Sequence, residues 1–212
     1  MTRYVLRIWL DDRPGALGAV ASRIGSVKGD LVGIEILERG AGRVIDELIV
    51  DLPNDAFVDL MVREVQEVDG VDVENVSIEP NPDRDFRLDP ILTAAAIAEQ
   101  ESRSGFLKEL VDRLSFDYTA RWVVVFDMAE NAVVAFKGDA PLQGWVEAYV
   151  KGVGSGSAND MAEPSDIALM VMPRSNVAVL MGRPDRMFRG LERSQLEALA
   201  RIGDVKLVSF AE

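Results

Sequence analysis

The hydrophobic period of the first 79 residues changes from 2 to 3.6 and back in a set order, and this constrains the fold more than any motif. From Tyr4 to Leu10 the residues alternate, with Leu6, Ile8 and Leu10 on one face and Val5, Arg7 and Trp9 on the other, as a strand requires. Asp11-Asp12-Arg13-Pro14-Gly15 breaks the alternation. Leu17, Val20, Ala21, Ile24 and Val27 then fall on one side of a helix that Gly29 is expected to stop. Alternation returns over Leu31 to Glu38 and, after the Gly40-Ala41-Gly42 turn, over Arg43 to Leu52, which together read as a hairpin. Pro53-Asn54-Asp55 opens a second helix with Asp55 as expected N-cap, carrying Val58, Met61, Val62, Val65 and Val68. Gly70 ends it, and Val71 to Glu79 is a fourth strand. The order βαββαβ predicts a four-stranded antiparallel sheet with both helices on one face. The other face, with Val5 and Trp9, calls for cover, and a packed partner would supply it.

Pro80-Asn81-Pro82-Asp83-Arg84-Asp85 has two prolines, polar residues and no period, so residues 80–90 read as a linker. The remaining residues 91–212 predict a second α+β domain. A helical stretch runs from Ile91 to about Ser115, with Gly105 as an expected dividing point. A hairpin follows over Arg121 to Met128 and Ala132 to Lys137. The segment from Gly138 to Glu163 is mixed, with Gly152-Val153-Gly154-Ser155-Gly156-Ser157 read as a flexible loop. Strands over Ile167 to Met172 and Val177 to Gly182 precede a last amphipathic helix with Phe188, Leu191, Leu196, Leu199 and Ile202.

What the chain lacks narrows its chemistry. It has no cysteine and no histidine, so thiolate nucleophiles, disulfides, Ser-His-Asp and HExxH arrangements are excluded. Carboxylate, Lys or Tyr acid–base work and Mg²⁺ held by Asp and Glu remain. Asp46-Glu47 and Asp11-Asp12 are candidate carboxylate pairs, but adjacent strand residues point to opposite faces, so neither pair converges on a metal. The expectation is no metal and no cofactor. A formal charge of −13 with scattered basic residues argues against a nucleic-acid partner. No apolar run approaches the roughly 20 residues of a membrane span, and the N-terminus has no signal-peptide layout. The expected location is cytoplasmic, with no membrane partner.

The run Val5-Leu6-Arg7-Ile8-Trp9-Leu10-Asp11-Asp12-Arg13-Pro14-Gly15-Ala16-Leu17, the Gly29-Asp30-Leu31-Val32 entry to the second strand and the βαββαβ order together resemble an ACT domain. The resemblance covers about residues 3–79. It implies a ferredoxin-like regulatory module that pairs with a second copy and binds an amino acid or similar small metabolite at the junction. Carried over residue by residue, it places ligand-binding positions on Arg13, Gly15, Ala16 and Leu17, and on Asp30, Leu31 and Val32. Asp30 departs from the family, where ligand-binding members often have Asn; a carboxylate accepts from an amino group but cannot donate to a carboxylate. Independently of the family, Gly15 lets a ligand approach the backbone, and the helix N-terminus behind it favours an anion. A tight turn that binds nothing would look the same in sequence.

The second half resembles a GAF domain, a ligand-binding or dimerising sensory module. The residues that carry this are Phe106-Leu107-Lys108-Glu109-Leu110, the hairpin around Val123-Val124-Val125-Phe126 and the closing run Phe188 to Ala200. The expected function is therefore a non-catalytic regulatory protein that forms a homodimer through its first domain and senses a small metabolite. Two alternatives stay open. One is an enzyme with carboxylate chemistry in the second domain, using Asp127, Asp139, Glu147 or Tyr149, and an appended regulatory domain. The other is a protein–protein interaction module with no small ligand. The Gly152-x-Gly154-x-Gly156 spacing lacks the strand and Lys-Ser/Thr pair of a phosphate loop. Arg183, Arg186, Arg189 and Arg193, with Glu192 and Glu197, read as a surface charge lattice. Trp122 and Trp145 are expected in core or interface.

Overall fold

A computed structural model describes residues 1–79, 85, 87–155, 165–184 and 186–210. The chain divides into two units, Met1–Arg84 and Asp85–Glu212.

The first unit is β1 (Thr2–Asp11), α1 (Ala16–Ser26), β2 (Asp30–Gly40), β3 (Arg43–Leu52), α2 (Val58–Gln66) and β4 (Asp72–Ile78). Its strands lie in the order β2-β3-β1-β4, all antiparallel, which is the ferredoxin-like arrangement that the period changes predict. Leu6, Ile8, Leu10, Leu48 and Val50 on the sheet pack with Val20, Ile24, Met61 and Val65 from the two helices. On the helix-free face Val5, Arg7, Ile45, Glu47 and Ile49 are also buried. There the Arg7 guanidinium donates to Glu47, and Trp9 Nε1 donates to Glu74 at 2.7 Å.

Local details differ from the sequence reading in two places. The helix α1 does not end on Gly29. Lys28 takes the left-handed conformation (φ 63), and the Lys28 and Gly29 N–H groups donate back to Gly25 and Ile24 in a Schellman motif. Gly29 is needed for space, since a Cβ there would sit 2.8 Å from Ile24 Cγ2. The N-cap before the second helix is Asn54, whose side chain accepts from the Ala56 N–H; Asp55 instead accepts from the Tyr4 hydroxyl. A 3₁₀ turn, Asp55–Phe57, leads into α2.

The second unit is α3 (Asp89–Ala98), α4 (Arg103–Asp117), β5 (Trp122–Asp127), β6 (Ala132–Gly138), α5 (Gln143–Ser155), β7 (Ile167–Met172), β8 (Val177–Gly182) and α6 (Gly190–Val208). Its four-stranded antiparallel sheet has the order β6-β5-β8-β7. The face with Val123, Val125, Met170, Val179 and Met181 packs on Phe106, Leu110, Leu114, Leu196 and Leu199 of α4 and α6. The opposite face, with Val124, Phe126, Ala178 and Leu180, packs on Val146 and Val150 of α5. Both central strands are thus covered on two sides, which explains their unbroken apolar runs.

Three expectations for this half are corrected. The first helix starts at Asp89, with Pro90 in its first turn where the missing N–H costs little. Gly105 does not divide the helices. The break lies at 99–102, and Gly105 is the residue whose N–H donates to the Ser102 N-cap of α4. Gly152 and Gly154 belong to α5, not to a loop. Packing of Val146 and Val150 on the sheet outweighs the entropy cost of glycine in a helix, about 1 kcal/mol each. Gly156 and Ser157 lie outside the described residues.

Candidate functional site

The turn between β1 and α1 is held by backbone bonds: Asp12 N–H donates to Gly42 O at 2.9 Å, and Arg13 N–H to Asp11 O at 2.8 Å. Gly15 sits in the left-handed region (φ 87) as N-cap of α1, and no side chain caps the helix. The Ala16 N–H donates to the Arg13 carbonyl at 3.3 Å, which leaves the Leu17 and Gly18 N–H groups and the positive dipole end of α1 for an anion. A Cβ on Gly15 would meet nothing within 4 Å, so the glycine is required by its backbone angle and not by crowding.

The sequence-predicted positions do not all converge. Arg13 is exposed, lies 3.7 Å from Asp11 and donates to Asp69 O in the turn between the second helix and β4. Ala16 is buried, and Leu17 packs against the core. Asp30, Leu31 and Val32 lie elsewhere. The ladders align Asp30 with Asp51 and Asp51 with Arg3, whereas Asp11 aligns with Arg43 and Gly40. From Arg3 to Asp11 the sheet spans roughly 26 Å at about 3.3 Å per residue. Within one chain the two halves of the predicted site stand at opposite ends of the sheet.

Asp46, weighed from the sequence only as half of a carboxylate pair with Glu47, lies within electrostatic reach of Asp12 in the turn. Asp46 on β3 lies between Ile8 and Ile36, on the helix-covered face with Val44 and Leu48. It is only 2% exposed, and its Oδ1 has no hydrogen-bond partner among the described residues. Burial pushes its carboxyl above the usual range, Arg39 draws it down and Asp12 pushes it up. Arg39 itself reaches Asp12 at 3.8 Å. An acid at an inward position of an alternating strand was the available signal. Asp46 and Glu47 do point to opposite faces, and among the described residues no group of three or more acidic side chains could hold a metal.

In the second unit the candidate acid–base groups are tied into structure. Burial tends to raise Asp127, but the Glu130 and Ala129 N–H groups and Arg103 bring it below the usual carboxylate range. Lys151 and Asn131 hold Glu147 low. Asp139 is largely exposed and pairs with Arg121 at 3.0 Å. Burial raises the Tyr149 hydroxyl; its ring stacks on Trp145, which meets Trp122 edge-on. Trp145 remains partly exposed on α5.

The arginine group is not the surface lattice expected. Arg183, Arg186, Arg189 and Glu192 are all buried. Arg183 donates to the carbonyls of Arg186, Met187 and Tyr118 and to Glu192 Oε2 at 2.6 Å, with its guanidinium 4.0 Å from the Phe188 ring centroid. Glu192 in turn accepts from the Arg189 N–H at the start of α6. The cluster closes the loop from β8 to α6, and only Arg193 and Glu197 keep solvent exposure.

Among solved structures the chain is similar to the ACT domain from the GTP pyrophosphokinase of Chlorobium tepidum, with 17% identity and a TM-score of 0.30 over 37% of this chain and 97% of that one. The C-terminal domain of the MgtC protein from Mycobacterium tuberculosis gives 17% identity and 0.30 over 37% and 86%. An unknown protein from Galdieria sulphuraria gives 12% identity and 0.34 over 96% and 92%. No family model and no curated protein matches. At these levels of likeness the fold assignment rests on the observed topology.

Proposed function

We propose that the chain is a non-catalytic, ACT-type regulatory protein whose first domain pairs with a second copy and senses an amino acid or similar zwitterion at the Asp12–Gly15 turn. The observation that supports this most is the opposition of charges at that turn. An uncapped helix N-terminus behind Gly15 favours a carboxylate, and Asp46, whose buried Oδ1 has no partner among the described residues, favours an ammonium group. The separation of Asp30–Val32 from the turn fits a paired site, because a two-fold partner lying antiparallel would bring its own second-strand entry to this turn. A cytoplasmic location and a GAF-like sensory second domain belong to the same reading. Among the described residues no helix is long and apolar enough to cross a membrane.

Thermal-shift and calorimetric screening of the full chain against the amino acids tests the proposal, with Asp46→Asn alongside. A ligand that raises the melting temperature of the wild type and binds Asp46→Asn at least tenfold more weakly is the expected result. A folded dimer that responds to none of them leaves the first domain a pairing module. The exposed Val32, Ile34 and Ile36 on β2 favour that second, interaction-only reading.

A further inference from the structure

The two edges of the second unit's sheet are built differently. Strand β6 has a bulge in its ladder with β5 and carries the exposed Lys137, both devices that discourage strand addition. Strand β7, Ile167-Ala168-Leu169-Met170-Val171-Met172, has no charge and no proline, and its ladder with β8 runs without a bulge. Above that edge lies α6. Their shared groove, about 720 Å³, is lined by Val171, Ala198, Ile202 and Val205 with Arg174 and Arg201 at its rim. Val171, Ile202 and Val205 are 43%, 42% and 58% exposed.

We propose that this edge is a second self-association surface, in which β7 pairs antiparallel with β7 of another copy while α6 packs on its twin. The surface is self-complementary about one point. Helix α6 runs parallel to β7, since Phe188 just before it bridges Ser165 at the start of β7, and Asp204 near its end holds the Ser175 turn beyond β7. Gly203 lies against Met172, where an added Cβ would sit 3.0 Å from Cε. The middle of β7, between Leu169 and Met170, is roughly 8 Å back from Met172. The same rise along a helix is between five and six residues by the usual ~1.5 Å each, which arrives at Glu197 and Ala198. A two-fold axis normal to the sheet, just outside the centre of β7 and midway between the two paired strands, therefore passes beside Ala198, whose small side chain lets two helices approach. Glu197 and Arg201 flank that point on one side of the helix. Both are exposed, and neither makes an ion pair among the described residues. The axis keeps height above the sheet, so each Glu197 comes within reach of Arg201 of the partner subunit. The interface rests on the second domain alone and is independent of ligand binding at the Asp12–Gly15 turn.

The absence of native cysteine makes the test direct. In the full chain, Ala198→Cys should form a disulfide-linked dimer under mild oxidation several-fold faster than Lys108→Cys, which lies on α4 over the opposite edge. In the Ala198→Cys background, Glu197→Arg or Arg201→Glu alone should cut the cross-linking rate, and the two together should restore it. Cross-linking no faster at position 198 than at 108, or a double swap that restores nothing, overturns the proposal. These readouts do not depend on pairing through the first domain.

Discussion

Asp46 and two glycines show how single residues answer to their surroundings. An unfolded Asp ionises near pH ~3.9, and burial raises Asp46 above that in the fold. Its ionisation therefore costs stability, and the cost grows as pH rises from the unfolded value through the raised folded one. Asp46→Asn should stabilise the free protein at pH 7, with the gain vanishing at low pH, where the carboxyl is protonated in both the folded and the unfolded state. Urea unfolding at several pH values reads both. Gly15 and Gly138 share a positive φ (87 and 74) but not the space around them. A Cβ at Gly15 meets nothing, whereas one at Gly138 runs into the Arg121 carbonyl. Gly15→Ala should cost about 1 kcal/mol from backbone strain alone. Gly138→Ala should cost more, about 2–3 kcal/mol, since strain and overlap add. Equal losses in denaturant titrations would mean that the Arg121 carbonyl moves aside.

At the scale of elements, α5 separates local preference from tertiary packing. Its glycines argue for a loop, yet Val146 and Val150 dock on the sheet and impose a helix. Gly152 is exposed, with open space around an added Cβ. Gly152→Ala should therefore raise stability by roughly 0.5–1 kcal/mol, as a loop position would not; a thermal melt decides. The helices of the first unit were legible because their outer faces are largely polar, and its strands because turn residues bound them and single charges such as Arg7, Glu35 and Glu47 mark one side of the alternation. Strands β5 and β8 were legible by length and residue type instead, being apolar on both faces. Helix ends were read less well. Lys28 takes the left-handed position expected of Gly29, and Asn54 caps where Asp55 was expected, because the loop path and not residue type chooses between adjacent candidates.

For the molecule as a whole, each unit has its own core: one beneath α1 and α2, the other on both faces of the second sheet. Residues 1–84 and 85–212 expressed separately should each unfold in one cooperative transition, with dispersed amide NMR spectra. The second should show the larger denaturant dependence, as the longer chain exposes more surface.

The sequence by itself determined the βαββαβ order, the Pro-Gly turn, the two-part organisation and the loss of His- and Cys-based chemistry, because each follows from local period, turn residues or composition. Tertiary structure alone decided three other points. It set Asp30–Val32 at the far end of the sheet from Gly15, since register is a property of paired strands. It drew Arg183, Arg186 and Arg189 inside around Glu192 and backbone carbonyls, since burial of a charge depends on partners distant in sequence. It also left Asp46 nearly buried within electrostatic reach of Asp12, with its Oδ1 unbonded among the described residues, because neighbouring strands must pair before a carboxylate loses most of its contact with water.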